Sequence, residues 1–336
     1  MATRVALTGA TGFIGRRLLA RLVSDGVQVR ALTRRLPAEP EGSHVRWVSG
    51  SLDDTAALEQ LVDGAEAVIH CAGAVRGADD ATFRRINVEG SRRLFEAAQR
   101  QGCARLLLMS SLAARHPELS WYAASKRQAE LSWYAASKRQ AEFSWYAASK
   151  RQAEQRGVAS SARPAVTVFR PTAVYGPGDR ELRPLFEMLM RGWLPMTGPH
   201  EARLSFLHVD DLVAAVIAWL RHSPADAPAE GGPFELHDGY PGGYTWPHIA
   251  AIGAAVRGAP VRRLPIPAGI LHGMAQANLL LARALHRSPM LTPGKFRELR
   301  HLDWTCHNDA FTRATGWVPQ TTLEQALGDR RQWAAD

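Results

Sequence analysis

The chain has 336 residues, 46% of them hydrophobic and 22% charged, with a formal net charge of +9. That length suits a larger domain joined to a smaller part, and that composition excludes wholesale disorder. Cys71, Cys103 and Cys306 have neither metal-ligand spacing nor the pattern of a disulfide framework, so no metal site and a reducing compartment are expected. The opening residues MATRVALTG lack a basic-then-apolar leader, and no apolar run is long enough to span a bilayer; the expected location is the cytoplasm. The positive charge is scattered in pairs such as Arg16/Arg17, Arg34/Arg35 and Arg92/Arg93, without a compact basic run or interleaved aromatics. A small-molecule substrate rather than nucleic acid is therefore expected.

Residues 3–8 (TRVALT) form an apolar run that stops at Gly9, the mark of a short buried strand. Residues 13–25 carry apolar side chains at helical spacing up to Gly26. Further strands are predicted at 27–33, 44–50, 66–73, 103–111 and 166–171, with helices at 54–63 and 80–101. Such alternation implies right-handed crossovers and a parallel sheet covered on both faces, an α/β Rossmann-type doubly wound fold. Beyond residue 171 the pattern loosens. Helices are predicted at 182–192 and 211–222, a Pro- and Gly-rich loop at 224–245, an apolar helix at 264–287 and an amphipathic helix at 322–334. The expected organisation is a nucleotide-binding domain at 1–180 and a smaller C-terminal substrate-binding part at 181–336, interleaved with the first.

TGATGFIG (8–15) lies between the first strand and the first helix, and Gly9, Gly12 and Gly15 give it a G-x-x-G-x-x-G spacing. The first glycine permits a tight turn, the second lets backbone approach a pyrophosphate, and the third lets helix and strand pack closely. Thr11, Phe13 and Ile14 share that turn, and the helix start supplies N–H groups and positive dipole. At the end of the second strand stand Thr33, Arg34 and Arg35, where an NAD-binding chain usually carries a carboxylate for the ribose 2′-hydroxyl. Two guanidinium groups favour a 2′-phosphate, so NADP is expected over NAD.

With TGATGFIG in place, VIHCAG (68–73), INVEG (86–90), LLLMSS (106–111), YAASK, FRPTAVYGPGD (169–179) and FLHVDDL (206–212) follow in order. These segments resemble the extended (atypical) short-chain dehydrogenases/reductases of the NAD-dependent epimerase/dehydratase family, over roughly residues 3–225. The resemblance implies cofactor contacts at Ser51, Leu52, Ala72, Gly73, Asn87, Pro171 and Thr172; the family usually has Asp where Ser51 stands. It also implies hydride transfer at a carbonyl or alcohol carbon, assisted by a Ser–Tyr–Lys set in which Ser111 matches the serine better than Ser110. A lysine four residues after the tyrosine shares its helix face and lowers the phenol's pKa. The resemblance implies a nucleotide-sugar substrate, and the apolar stretch 264–287 makes a hydrophobic, lipid-like one the alternative expectation.

The tyrosine and lysine are not unique. SWYAASKRQAE occurs at 120–130, 132–142 and 144–154, offering Tyr122/Lys126, Tyr134/Lys138 and Tyr146/Lys150. Two extra copies add 24 residues. One helix through 122–156 would be about 52 Å long, and residues 157–165 reach only about 30 Å, so a break or looped-out part is expected. Tyr146/Lys150 is the first choice because the insertion then falls in a loop, where it costs little. Tyr122/Lys126 remains the alternative, with Tyr134/Lys138 behind both. A non-catalytic NADP(H)-binding regulator or assembly subunit, its catalytic helix disrupted, also stays open. The resemblance also implies a homodimer contact through the Tyr–Lys helix.

His208, Asp210 and Asp211 are read as structural, the acids as helix-capping residues. Tyr175 falls near the expected cleft, and Arg180 and Arg183 are either anion contacts or surface charge. Trp193, Trp246, Trp304, Trp317 and Trp333 are read as packing residues. The stretch 264–287, flanked by Arg262, Arg263, Arg283 and Arg287, suits either a packed helix or one touching a lipid surface.

Overall fold

A computed structural model describes residues 4–37, 42, 44–151, 165–222 and 233–329, with backbone alone at 138–151. The strands are β1 (Arg4–Thr8), β2 (Gln28–Thr33), β3 (Val45–Ser49), β4 (Ala67–His70), β5 (Arg105–Met109), β6 (Ala165–Pro171), β7 (Ala173–Tyr175), β8 (Trp193–Met196), β9 (Phe206–His208), β10 (Phe234–Leu236) and β11 (Arg262–Pro265). The helices are α1 (Phe13–Ser24), α2 (Thr55–Val62), α3 (Asp80–Phe83), α4 (Gly90–Arg100), α5 (Trp121–Arg151), α6 (Arg183–Met190), α7 (Val209–Arg221), α8 (Trp246–Arg257), α9 (Ala268–Ala284), α10 (Pro293–Leu299), α11 (Asp309–Thr315) and α12 (Leu323–Gly328). A π-helical turn joins α3 to α4 at Arg84–Glu89, and a 3-10 turn spans Leu112–Arg115.

Seven strands form one sheet in the order β10-β6-β5-β4-β1-β2-β3. Every pairing within it is parallel. This is the doubly wound α/β fold that the alternating pattern predicts, reversing direction at β1 and β4, where such sheets hold ligands. On one face Leu18, Leu19 and Leu22 of α1 pack with Val213, Val216 and Ile217 of α7 and with Phe311 and Trp317. On the other, Leu58 and Leu61 of α2 meet Leu94 and Phe95 of α4 and Trp133 of α5. Each of these side chains contributes about 1.5–3 kcal/mol through burial. A separate core of Tyr175, Phe186, Leu189, Trp246, Ile249 and Leu327 holds the smaller lobe.

The structure departs from the sequence expectations in several places. The helix expected at 80–101 is interrupted by the π turn, whose extra residue turns Asn87 inward. The loop expected at 224–245 contains β10, three residues that complete the sheet beside β6. The apolar stretch from 264 begins as strand β11, and Pro265 and Pro267 delay the helix to Ala268. The final helix is the short α12, closed at its start by a Thr322/Gln325 capping box; residues 330–336 of the expected 322–334 helix lie outside the described residues. Trp246 and Trp317 are buried as expected and Trp193 is 39% exposed; Trp333 lies outside the described residues.

The repeat also differs. α5 runs unbroken from Trp121 to Arg151, through the first two copies and into the third. The expected break followed from counting the helix to residue 156. Among the described residues the helix ends at Arg151, and residues 152–164, where the expected break or looped-out part could also fall, lie outside them.

Candidate active site

The site forms where β1, β4 and β5 end and the helices begin. After β1, Gly9 has φ +76°, and a Cβ there would lie 2.6 Å from the Ala72 nitrogen. A Cβ on Gly15 would lie 2.0 Å from the Gly9 carbonyl oxygen, so α1 can press on the turn only with glycine there. Gly12 starts α1 with no side-chain cap and no acid in the first turn, which leaves its amino-terminal N–H groups facing outward with their partial positive charge. Thr11 is exposed; Phe13 and Ile14 are half-buried.

β1 and β4 are tied side to side. Thr8 Oγ1 bonds His70 Nδ1 at 2.6 Å, and His70 Nε2 bonds Ser91 Oγ at 2.8 Å. Burial pushes His70 down to about 3, with Lys126 adding to the effect, so the imidazole is neutral at ordinary pH. Past β4, Ala72, Gly73 and Ala74 form the floor. The Ala74 N–H donates to Asn87 Oδ1 at 2.7 Å, and Asn87 Nδ2 donates to Ala74 O and to Ser125 Oγ at 3.0 and 2.9 Å. One buried amide thus clamps the floor loop to α5.

Ser111 and Ser110 take different partners. Ser110 Oγ donates to Glu130 Oε1 at 2.5 Å, beneath the site. Ser111 starts the 3-10 turn, accepting from the Ala113 N–H, and its hydroxyl faces the Tyr122 phenol. Burial raises that phenol to about 12, against the lowering expected from the lysine; Ser111 opposes the rise and the Glu298 charge reinforces it. One helical turn on, Lys126 is buried and donates to the Met109 carbonyl at 2.9 Å. A Cβ on Gly73 would lie 3.2 Å from its Nζ. Burial pulls the ammonium down to about 8, against Cys71 and Glu130.

Of the three Tyr–Lys pairs, the structure brings Tyr122 and Lys126 to Ser111 and Gly73. Tyr134 lies against the core beside α4 and β6. The helix carries Tyr146 about 36 Å beyond Tyr122 along its axis; the side chains of Lys138, Tyr146 and Lys150 lie outside the described residues.

At the end of β2, Arg34 and Arg35 are exposed, and among the described residues no carboxylate pairs with either. Ser51 Oγ accepts from the Asp53 N–H, and Leu52 packs under Gly90. Pro171 ends β6, and Thr172 is buried with no partner for its hydroxyl among the described residues. Tyr175 is buried in the smaller lobe's core. His208 and Asp211 act structurally. The His208 ring caps α7, and Asp211 accepts from the Gln320 and Thr321 N–H groups.

Two parts of this arrangement escaped sequence reading. Glu130 is fully buried and holds Arg170 through two bonds, at 2.9 and 2.5 Å, beneath Lys126. Glu298 of α10 bonds the Ser120 hydroxyl, which in turn caps α5. Glu130 recurs in every repeat, which disguised it; Glu298 lies far along the chain, in no motif.

A doubly wound sheet with an open helix start over a glycine turn, and a serine, tyrosine and lysine converging beside it, defines a dinucleotide-dependent enzyme. The fit is local and steric: the Gly9–Gly15 turn leaves room for a pyrophosphate, the Thr172 hydroxyl awaits a partner, and the Lys126 ammonium stands at the floor. The profile of the NAD dependent epimerase/dehydratase family matches residues 5–230. The chain belongs to that family, and is an NAD(P)-dependent oxidoreductase or epimerase/dehydratase of the extended short-chain type.

A ceramide reductase from Caulobacter vibrioides is 36% identical over 344 residues, 95% of this chain and 97% of that protein. A 3 beta-hydroxysteroid dehydrogenase/Delta 5-->4-isomerase from Mycobacterium tuberculosis is 28% identical over 83% of this chain and 81% of its own. Among solved structures, MoeE5 in complex with UDP-glucose and NAD superposes with a TM-score of 0.68 at 22% identity, covering 98% of each chain. That last likeness concerns the fold.

Proposed function

We propose that this enzyme is an NADP(H)-preferring reductase of a ketone carried on a long-chain, lipid-like substrate. The observation that carries the reading is the convergence of Ser111, Tyr122 and the buried Lys126 at the Gly73 floor, with burial raising the Tyr122 phenol. Such a group keeps its proton at neutral pH and acts as an acid, which suits reduction. The near-full-length likeness to a ceramide reductase supports the lipid-like substrate. The exposed Arg34 and Arg35, paired with no carboxylate among the described residues, support a 2′-phosphate.

The coenzyme, when bound, supplies the hydride; Gly9, Gly12 and Gly15 would hold its pyrophosphate, with Thr172 and Gly73 at its reactive end. Tyr122 Oη passes its proton to the substrate oxygen as that oxygen gains charge. The Ser111 hydroxyl holds the same oxygen. The Lys126 ammonium, still mostly protonated at neutral pH, favours the phenolate left on Tyr122. Asn87 keeps the floor and α5 in register while this happens.

The test is to change Tyr122, Tyr134 and Tyr146 singly to Phe and follow NADPH and NADH oxidation with the ketone form of a ceramide, using UDP-sugars for comparison. Tyr122→Phe should lower kcat by about 10²–10⁴-fold, and the other two should stay near the parent. Loss of turnover in Tyr146→Phe with retention in Tyr122→Phe overturns the assignment; turnover of UDP-sugars alone overturns the substrate class.

A further inference from the structure

α9 is apolar on two faces. Its inner face, Leu271, Ala275, Leu279 and Ala282, is buried. α10 helps hold it there, where Phe296 meets His272 edge-on at 5.1 Å and Asn278 Nδ2 donates to the Leu291 carbonyl. A polar strip of His272, Gln276 and Arg283 follows round the helix. Beyond it lies a second apolar row, Ile270, Met274, Ala277, Leu281 and Ala284, whose spacing keeps it on one side. Ile270, Met274 and Leu281 are 57%, 54% and 58% exposed, and the neighbouring Leu280 and Leu285 are 65% and 50% exposed. A soluble surface rarely concentrates so many large apolar side chains on one helix.

The charge around this row is one-sided. From residue 239 to 297 there is no Asp or Glu, while Arg257, Arg262, Arg263, Arg283, Arg287, Lys295 and Arg297 fall in the same stretch. Arg262, Arg263 and Arg287 are exposed. No helix among the described residues is long and apolar enough to cross a membrane.

We infer that α9 docks the enzyme on an anionic lipid bilayer, lying in the interface with its outer apolar row among the acyl chains and the arginines at the phosphate level. Lys295 is paired with Glu298 and Arg283 faces Asp79, whereas among the described residues no carboxylate pairs with the exposed Arg262, Arg263 and Arg287, so the apolar face and these cations match that surface in both greasiness and sign. The position suits a lipid substrate: Arg283 Nε donates to the Ala78 carbonyl, in the loop leading from the site floor, and α10 touches Ser120 at the start of α5. The purpose given to docking rests on the lipid-substrate reading; docking itself does not.

The full chain is floated with vesicles of phosphatidylcholine alone and of phosphatidylcholine with roughly one-third phosphatidylglycerol. It should rise with the anionic vesicles and be released by about 0.5 M salt. The double variants Leu280→Ser/Leu281→Ser and Arg262→Glu/Arg263→Glu should each lower the bound fraction about fivefold or more, with unchanged circular dichroism and melting. Absence of flotation, or flotation indifferent to the leucine variant, overturns the inference. So does a lipid-free dimer that this variant dissolves, which assigns the face to a second copy. Because flotation needs no turnover, a failed ketone assay with intact flotation sinks the substrate reading alone.

Discussion

Trp121 and Trp133 occupy the same place in two identical eleven-residue segments, so helix propensity and near neighbours in sequence cancel between them. Their surroundings do not. Trp133 is fully buried, stacks on His70 at 5.8 Å, meets Phe95 at 5.6 Å and donates from Nε1 to the Ser91 carbonyl at 3.0 Å. Trp121 is 37% exposed. Replacing a core Trp by Ala costs about 3–5 kcal/mol, and the loss of the His70 and Phe95 ring contacts keeps Trp133→Ala within that range. Trp121→Ala should cost less than about 1.5 kcal/mol. Urea unfolding followed by circular dichroism, analysed by linear extrapolation, measures both. Equal losses, or the larger loss at Trp121, would refute the docking of the second repeat copy into the core beside α4.

Glu130→Ala leaves the Arg170 guanidinium, 8% exposed, with Glu235 at 3.8 Å as its remaining carboxylate among the described residues; urea unfolding should register a loss of about 3–5 kcal/mol. Replacing Glu130 and Arg170 together by Gln and Met should recover most of it, since no charge is then stranded. His70 is held neutral down to about pH 3, whereas an unfolded histidine takes up a proton below its ordinary 6.5. The stability from this group is therefore complete above pH 6.5 and declines as pH falls towards 3, by about 1.4 kcal/mol per unit. His70→Gln should flatten that part of the slope in urea midpoints taken between about pH 7 and 5.

The sheet was legible because its strands are short apolar runs bracketed by glycine, and because a strand, a glycine turn and an amphipathic helix occur together at residues 3–25. β10 was not: three residues, Phe234, Glu235 and Leu236, carry no periodicity, and their pairing with β6 is decided by tertiary contact. The π turn at Arg84–Glu89 was hidden for a similar reason, since the bonds that retain it join Asn87 to Ala74 and Ser125 across the fold. Choosing among three identical Tyr–Lys pairs lay beyond local pattern altogether. Ser120 settles the placement in space: Glu298 reaches it in the first copy, and the same residue type in the second copy, Ser132, bonds only the Ala129 carbonyl of its own helix among the described residues. Ser111 could be separated from Ser110 on paper, whereas the reason, Ser110's commitment to Glu130, needed coordinates.

Glu298 has a double attachment. Its carboxylate grips the hydroxyl that begins α5 and also adds to the field that keeps the Tyr122 phenol protonated. Any sliding of α10 would thus be transmitted, without an intervening hinge, to the acidity of a group several elements away in the sequence. α10 is thereby tied directly to the start of the helix that carries Tyr122.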